Sequence, residues 1–234
     1  MSEAVVSQAA WVSPERVLSN DTLVVREPFS FMVATEMLDP SIESKLNDAY
    51  PRQNGAGFLP YEPETCGEAF NELVSQLIAP EFANAVGKQL GIDNLSQYPT
   101  YISIARTLNK RHGTIHTDGK SKIATMLLYL NPAWADNSGR LRFLNKIDDI
   151  EDTVVPEIEP LYGTLVAFKR ADNSFHGHLP FEGERRAIQI AWLVSEDAKS
   201  RKGKRGKLSS GVKKLFGWVD RKVAAGRKDN AHRD

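Results

Sequence analysis

Two spacings of apolar residues divide this chain. Over residues 66–90 they recur at helical intervals: Phe70, Leu73, Val74, Leu77 and Ile78 form one stripe, predicting amphipathic helices at 66–78 and 80–90. A further helix is expected near 40–49, and a β-strand region around Leu23 to Phe31. Beyond residue 120 the pattern changes. Ala124 to Asn131 is a mostly apolar run of strand length that closes on the turn signal Asn131-Pro132. Ser138 to Leu144 alternates apolar and basic residues, Tyr162 to Phe168 reads as a buried strand, and Ser174 to His178 follows a polar turn. Arg185 to Leu193, opened by Gly183, is the last strand. Five strands with short turns and no intervening helix indicate a sandwich or barrel, and the helical stripe is its cover. Residues 50–63, rich in Pro, Gly and aromatics, form a loop at the mouth.

Composition adds that 234 residues with 41% hydrophobic content can bury one substantial core. The single cysteine, Cys66, excludes an intrachain disulfide and lends secretion no support. No signal sequence opens the chain and no run of eighteen apolar residues occurs, so a cytoplasmic location is expected. A formal charge of zero hides an asymmetry: residues 198–234 hold 13 Lys and Arg against 3 Asp, a balance of +10, and the rest carries 17 minus 27, or −10. Lys199 to Lys207, basic and interrupted by glycine, is expected to be disordered. Val212, Leu215, Phe216, Val219 and Val223 then recur at helical spacing, suited to an anionic membrane surface, an acidic partner or the protein's own acidic body.

Candidate chemistry centres on His116, Asp118 and His176. Alternate residues of a strand share a face, so His116 and Asp118 can reach one metal together while Thr117 points away. His176, 58 residues after Asp118, completes two imidazoles and a carboxylate, the set that holds non-haem Fe(II) by one face and leaves the other open. Thr114, Ile115 and Thr117 favour an extended arm and Gly113 discourages a helix, which argues against a zinc-binding helix built on His112 and His116.

With these residues in place, the chain resembles the prolyl-4-hydroxylase-like branch of the 2-oxoglutarate and Fe(II)-dependent dioxygenases, which includes collagen-type and Egl-nine-type enzymes. The resemblance runs in order through residues 98–194: the His116/Asp118 arm, the strand end Leu128 to Asn131, Ser138 to Leu141, the Gly163 strand, His176 with Pro180, and the final arginines. It implies a double-stranded β-helix, a jelly-roll, cupin-like barrel with the iron in its mouth. It implies Fe(II), O2 and 2-oxoglutarate, with ascorbate as an auxiliary, and hydroxylation of a prolyl-type protein residue or small metabolite with release of succinate and CO2. The intact carboxylate of Asp118 favours hydroxylation over halogenation.

The family holds the far carboxylate of 2-oxoglutarate with a basic residue nine or ten positions after the second His, and both positions here are arginine, Arg185 and Arg186. Only one can face the interior. With Arg185 inward, Ala187, Gln189 and Ala191 accompany it while Ile188, Ile190 and Trp192 pack outward; this assignment is favoured, because small or polar neighbours suit a cosubstrate cavity. Arg186 inward would place Ile188 and Trp192 inside. Tyr129 falls where Egl-nine-type enzymes place a hydroxyl on the same carboxylate, or is an ordinary core tyrosine, and Leu127 lines the same face. His178 is expected at the mouth and His232 in solvent.

The expected organisation is an N-terminal strand and helices (1–95), a catalytic β-helix (96–197) and a basic tail with an amphipathic helix (198–234). Two other readings compete: a cupin-like metal enzyme that needs no 2-oxoglutarate, against which the basic residue after His176 speaks, and a non-catalytic module that binds through its tail.

Overall fold

A computed structural model describes residues 10–53 and 55–216, with side chains as far as residue 206. A helical turn, α1 (Pro14–Val17), leads to β1 (Leu23–Val25), β2 (Phe31–Ala34), α2 (Glu43–Ala49) and the short β3 (Leu59–Pro60). Two longer helices follow, α3 (Glu68–Leu77) and α4 (Pro80–Leu90), and then β4 (Thr100–Leu108) and β5 (Lys122–Tyr129). β6 (Arg142–Phe143), β7 (Leu165–Lys169), β8 (His176–Gly177), β9 (Gly183–Leu193) and α5 (Glu196–Phe216) complete the chain. Local chemistry sets the ends of α4, which starts on Pro80 and stops at Gly91, whose φ of 68° suits a residue without a side chain.

Seven strands pair antiparallel in the order β1-β2-β7-β5-β9-β4-β3. β6 and β8 form a second, smaller sheet, which single bridges extend at His116/His176, Leu141/Ile158 and Leu144/Thr153. Alternation on the large sheet divides the core in two. Toward the helices, Met126, Leu128, Ile188, Ile190 and Trp192 pack with Phe70, Leu73, Leu77, Phe82 and Val86. Toward the small sheet, Phe31, Leu127, Tyr129, Val166, Phe168 and Ala187 meet Leu141, Phe143 and Ile158. The result is a double-stranded β-helix, a jelly-roll of facing sheets with helices covering the outer face of the larger one. Burial of this kind stabilises by about 1.5–3 kcal/mol per large aliphatic or aromatic side chain, so the helical stripe is a structural necessity rather than a binding face.

Four features depart from the sequence expectations. β4, which lies between β9 and the edge strand β3, has no counterpart among the five expected strands, because Tyr101, Arg106 and Thr107 break its apolar run and remain partly exposed. Only Arg142–Phe143 of the stretch 138–144 is strand; Gly139 turns the chain at φ 73°, and Arg140 and Arg142 reach across to Glu157. The His116 arm is an extended segment with one bridge rather than a strand. Lys199 to Lys207 is helical, not disordered. Ser195 accepts from the Ala198 N–H, Glu196 and Asp197 stand in the first turn, and Ala198 is buried in a cluster that Tyr101 packs against. The Lys202 ammonium lies 5.4 Å from the Tyr101 ring centre, so tertiary contact offsets the poor helix composition. The remainder of the expected tail helix, beyond residue 216, and His232 lie outside the described residues. No described helix is long and apolar enough to cross a membrane.

Candidate active site

His116 and His176 are joined across the gap between their segments by two backbone hydrogen bonds, each N–H donating to the other's carbonyl at 3.0 Å. That bridge brings their rings to 4.4 Å between centres. Asp118 follows two residues after His116, and one ligand atom from each of the three side chains lies within 4.8 Å of the other two. Among the described residues this is the one such cluster of metal-ligating side chains.

Hydrogen bonding fixes how each imidazole faces. Nδ1 of His116 lies 2.8 Å from the Thr114 carbonyl and Nδ1 of His176 lies 2.9 Å from the Ser174 carbonyl. A carbonyl only accepts, so each Nδ1 carries the proton and each Nε2 presents a lone pair. Burial lowers the pKa of both rings, that of His176 to about 3 with the neighbouring His116 adding to the effect, so both are neutral near pH 7, the form a metal needs.

Asp118 is buried, which by itself would raise its pKa. The Lys122 ammonium, His176 and hydrogen bonds from Lys122 and Thr125 outweigh that effect and hold the carboxyl far below the usual range. Lys122 Nζ lies 2.5 Å from one carboxylate oxygen and the Thr125 hydroxyl donates to the other at 2.5 Å. Two neutral imidazoles and an ionised carboxylate, converging within one apolar surround, fit a divalent transition metal.

The two arginines of β9 part company. Arg185 is buried toward the small sheet: its Nε donates to the Gly139 carbonyl at 2.7 Å, its Nη2 to the Tyr129 hydroxyl at 3.1 Å, and its guanidinium lies 4.9 Å from the Tyr129 ring centre. Arg186 turns to the opposite face, where it donates to Glu184 and Asn47 and lies over the Tyr50 ring. It is not brought to the site. Tyr129 and Leu127 share the inner face of β5 and pack in the same cluster as Phe143 and Phe168, whose rings flank His176. Of its five N–H groups, Arg185 spends two on protein partners among the described residues, and the Tyr129 hydroxyl accepts one of them. The remaining donors suit a carboxylate.

His178 lines a cavity of about 190 Å³ with Thr114 and Ile115, the residues just before His116, and with Lys110 and Ile150. Its Nδ1 lies 2.8 Å from the Leu179 carbonyl. Burial, then the nearby Arg185, lowers its pKa to about 4. Gly113 makes this packing possible: its φ is 89°, and a Cβ there would come within 2.2 Å of the His178 ring. Sequence reasoning missed Lys122, Thr125 and the Gly139 carbonyl. A lysine opening an otherwise apolar strand was a visible signal, but its target was not.

Residues 102–194 match the family model described as the 2OG-Fe(II) oxygenase superfamily. Similar folds occur in a prolyl-4-hydroxylase of Pseudomonas putida (17% identity, 71% of this chain and 89% of that chain, TM-score 0.47). They also occur in the viral collagen prolyl hydroxylase of Paramecium Bursaria Chlorella virus-1, in its 2OG complex (18% identity, 70% and 96%, TM-score 0.48). A third is the Trichoplax adhaerens prolyl hydroxylase in complex with a hypoxia inducible factor peptide (17% identity, 80% and 89%, TM-score 0.48). No curated protein matches the chain. The stretch that matches the oxygenase model carries His116, Asp118, His176, Tyr129 and Arg185.

Proposed function

We propose that the protein is a 2-oxoglutarate-dependent hydroxylase acting on an unactivated C–H bond of a prolyl-type protein residue or a small metabolite, with release of succinate and CO2. The observation that carries this reading is the buried Arg185–Tyr129 pair, set in the apolar interior that also surrounds His176. A metal-binding jelly-roll that needed no dicarboxylate would have little reason to bury a guanidinium with unspent donors there.

Ferrous iron, when bound, supplies the oxidising power of O2 through oxidative decarboxylation of 2-oxoglutarate. The chain's own residues do the rest. His116, Asp118 and His176 hold the metal, and Arg185 with Tyr129 grips the far carboxylate and so orients the cosubstrate. Leu127, Phe143 and Phe168 keep water away. The cavity lined by Thr114 and Ile115, which precede His116 in the chain, receives the substrate, with the neutral His178 on its wall. The prolyl assignment draws on the motif resemblance in residues 98–194, and ascorbate is the proposed reductant that keeps the metal ferrous.

Purified protein given Fe(II), 2-oxoglutarate and O2 should release succinate, measured by mass spectrometry, even without the prime substrate. His116→Ala, chosen because its ring is partly exposed and its loss leaves no buried charge, should fall to background. Tight metal binding without succinate release in the wild type would move the protein to cupin-like chemistry.

A further inference from the structure

Lys122 is the one feature at this centre that a metal site does not obviously want: a cation placed beside the carboxylate that must hold another cation. Its position is built. On β9 one pairing step, from Leu193 to Trp192, spans two residues on β5, from Lys122 to Ala124, so Ile123 is an inserted residue. Without the insertion Lys122 would share the face of Ala124, Met126 and Leu128, which pack under the helices. The bulge turns it instead to the face of Thr125, Leu127 and Tyr129. There its side chain is 4% exposed and its ammonium reaches Asp118, itself 2% exposed. Read from its start, the inner face of β5 therefore offers two groups to Asp118 and then the two residues proposed for the cosubstrate.

We propose that Lys122 is a positioning residue whose charge trades metal affinity for cosubstrate affinity. The inference rests on the metal and 2-oxoglutarate reading above. Lys122 and Asp118 cancel, so with two neutral imidazoles the ligand set has no net charge. A divalent ion is therefore held less tightly than the same three ligands would hold it alone. The anionic 2-oxo acid, arriving on that metal, is in turn attracted by an ammonium one carboxylate away. Pairwise electrostatics makes these effects opposite in sign. A merely structural role, aiming the carboxylate, would instead improve both affinities together.

The test uses full-length protein with Mn(II) as the redox-silent metal. Dissociation constants for Mn(II) alone, and for 2-oxoglutarate on the Mn(II)-loaded protein, are measured by calorimetry for wild type, Lys122→Gln and Lys122→Arg. Lys122→Gln keeps a hydrogen-bond donor and removes the charge. It should bind Mn(II) at least about ten-fold more tightly and 2-oxoglutarate at least about ten-fold more weakly, a floor below what a unit charge one carboxylate away supplies at an effective dielectric of about 20. Lys122→Arg should leave both constants near wild type. Weakening of both constants in Lys122→Gln, no change in either, or an Arg variant that behaves like Gln would overturn the proposal. Should Lys122→Gln fail to fold, Lys122→Met takes its place with the same two expectations, since an apolar side chain of similar length fills the buried path. If wild type binds Mn(II) but not 2-oxoglutarate, it is the cosubstrate reading that fails rather than the assignment of Lys122.

Discussion

Replacing Arg185 with methionine is the sharpest probe of the proposed cosubstrate site. Arg185 is 3% exposed, its guanidinium anchored by the Gly139 carbonyl at 2.7 Å and the Tyr129 hydroxyl at 3.1 Å, with its remaining N–H groups unspent among the described residues. A hydrogen bond to a charged group contributes about 1.5–3 kcal/mol. A two-pronged grip on a carboxylate should therefore contribute at least about 3 kcal/mol, and its loss should weaken 2-oxoglutarate by about 150-fold. The variant also strips the Gly139 carbonyl of its donor, at about 1–3 kcal/mol of stability, so folding must be checked by thermal unfolding. Arg186→Met is the matched control. One residue away but on the opposite face, with Glu184 and Asn47, it should leave 2-oxoglutarate binding unchanged. Calorimetric titration of 2-oxoglutarate into Mn(II)-loaded protein reads both. Wild-type affinity in a folded Arg185→Met, or the loss appearing in Arg186→Met instead, would refute the assignment.

Two further outcomes follow from the packing around the histidines. His176 and His178 are lowered to about 3 and about 4 in the folded chain, against about 6.5 when unfolded, so between these values the unfolded state binds the extra protons. Their contribution is complete above about pH 6.5 and is lost as the pH falls, by up to about 1.4 kcal/mol per unit for each ring; metal-free protein should melt at a clearly lower temperature at pH 5.0 than at pH 7.5, and a flat profile would count against neutral buried rings. Gly113→Ala forces a side chain into a φ of 89° and against the His178 ring, and should cost about 2 kcal/mol or more in denaturant unfolding. A neutral result there would mean that the loop carrying His116 is more compliant than its packing indicates.

Sequence alone determined the elements whose information is local. The helical stripe through Phe70, Leu73 and Leu77 specifies a covered helix because one face of a helix repeats every three to four residues, and β9 specifies its own two faces because a strand alternates strictly. His116, Asp118 and His176 were legible as a candidate ligand set by residue type and order, and the fold brings them together; the composition of β9 favoured Arg185 as the inward arginine. What no local pattern contains is the pairing of strands far apart in the chain. The inserted residue at Ile123 exists only as a mismatch between β5 and β9, and it is this mismatch that aims Lys122 at Asp118. The same holds for β4, whose partly polar sequence becomes a strand because β9 and β3 supply its partners, and for Lys199 to Lys207, whose charges and glycines argue against order until Ala198 and Lys202 find Tyr101. The candidate ligands could be named from the sequence because their chemistry belongs to each side chain, whereas the charge beside them depends on register, which only the folded sheet decides.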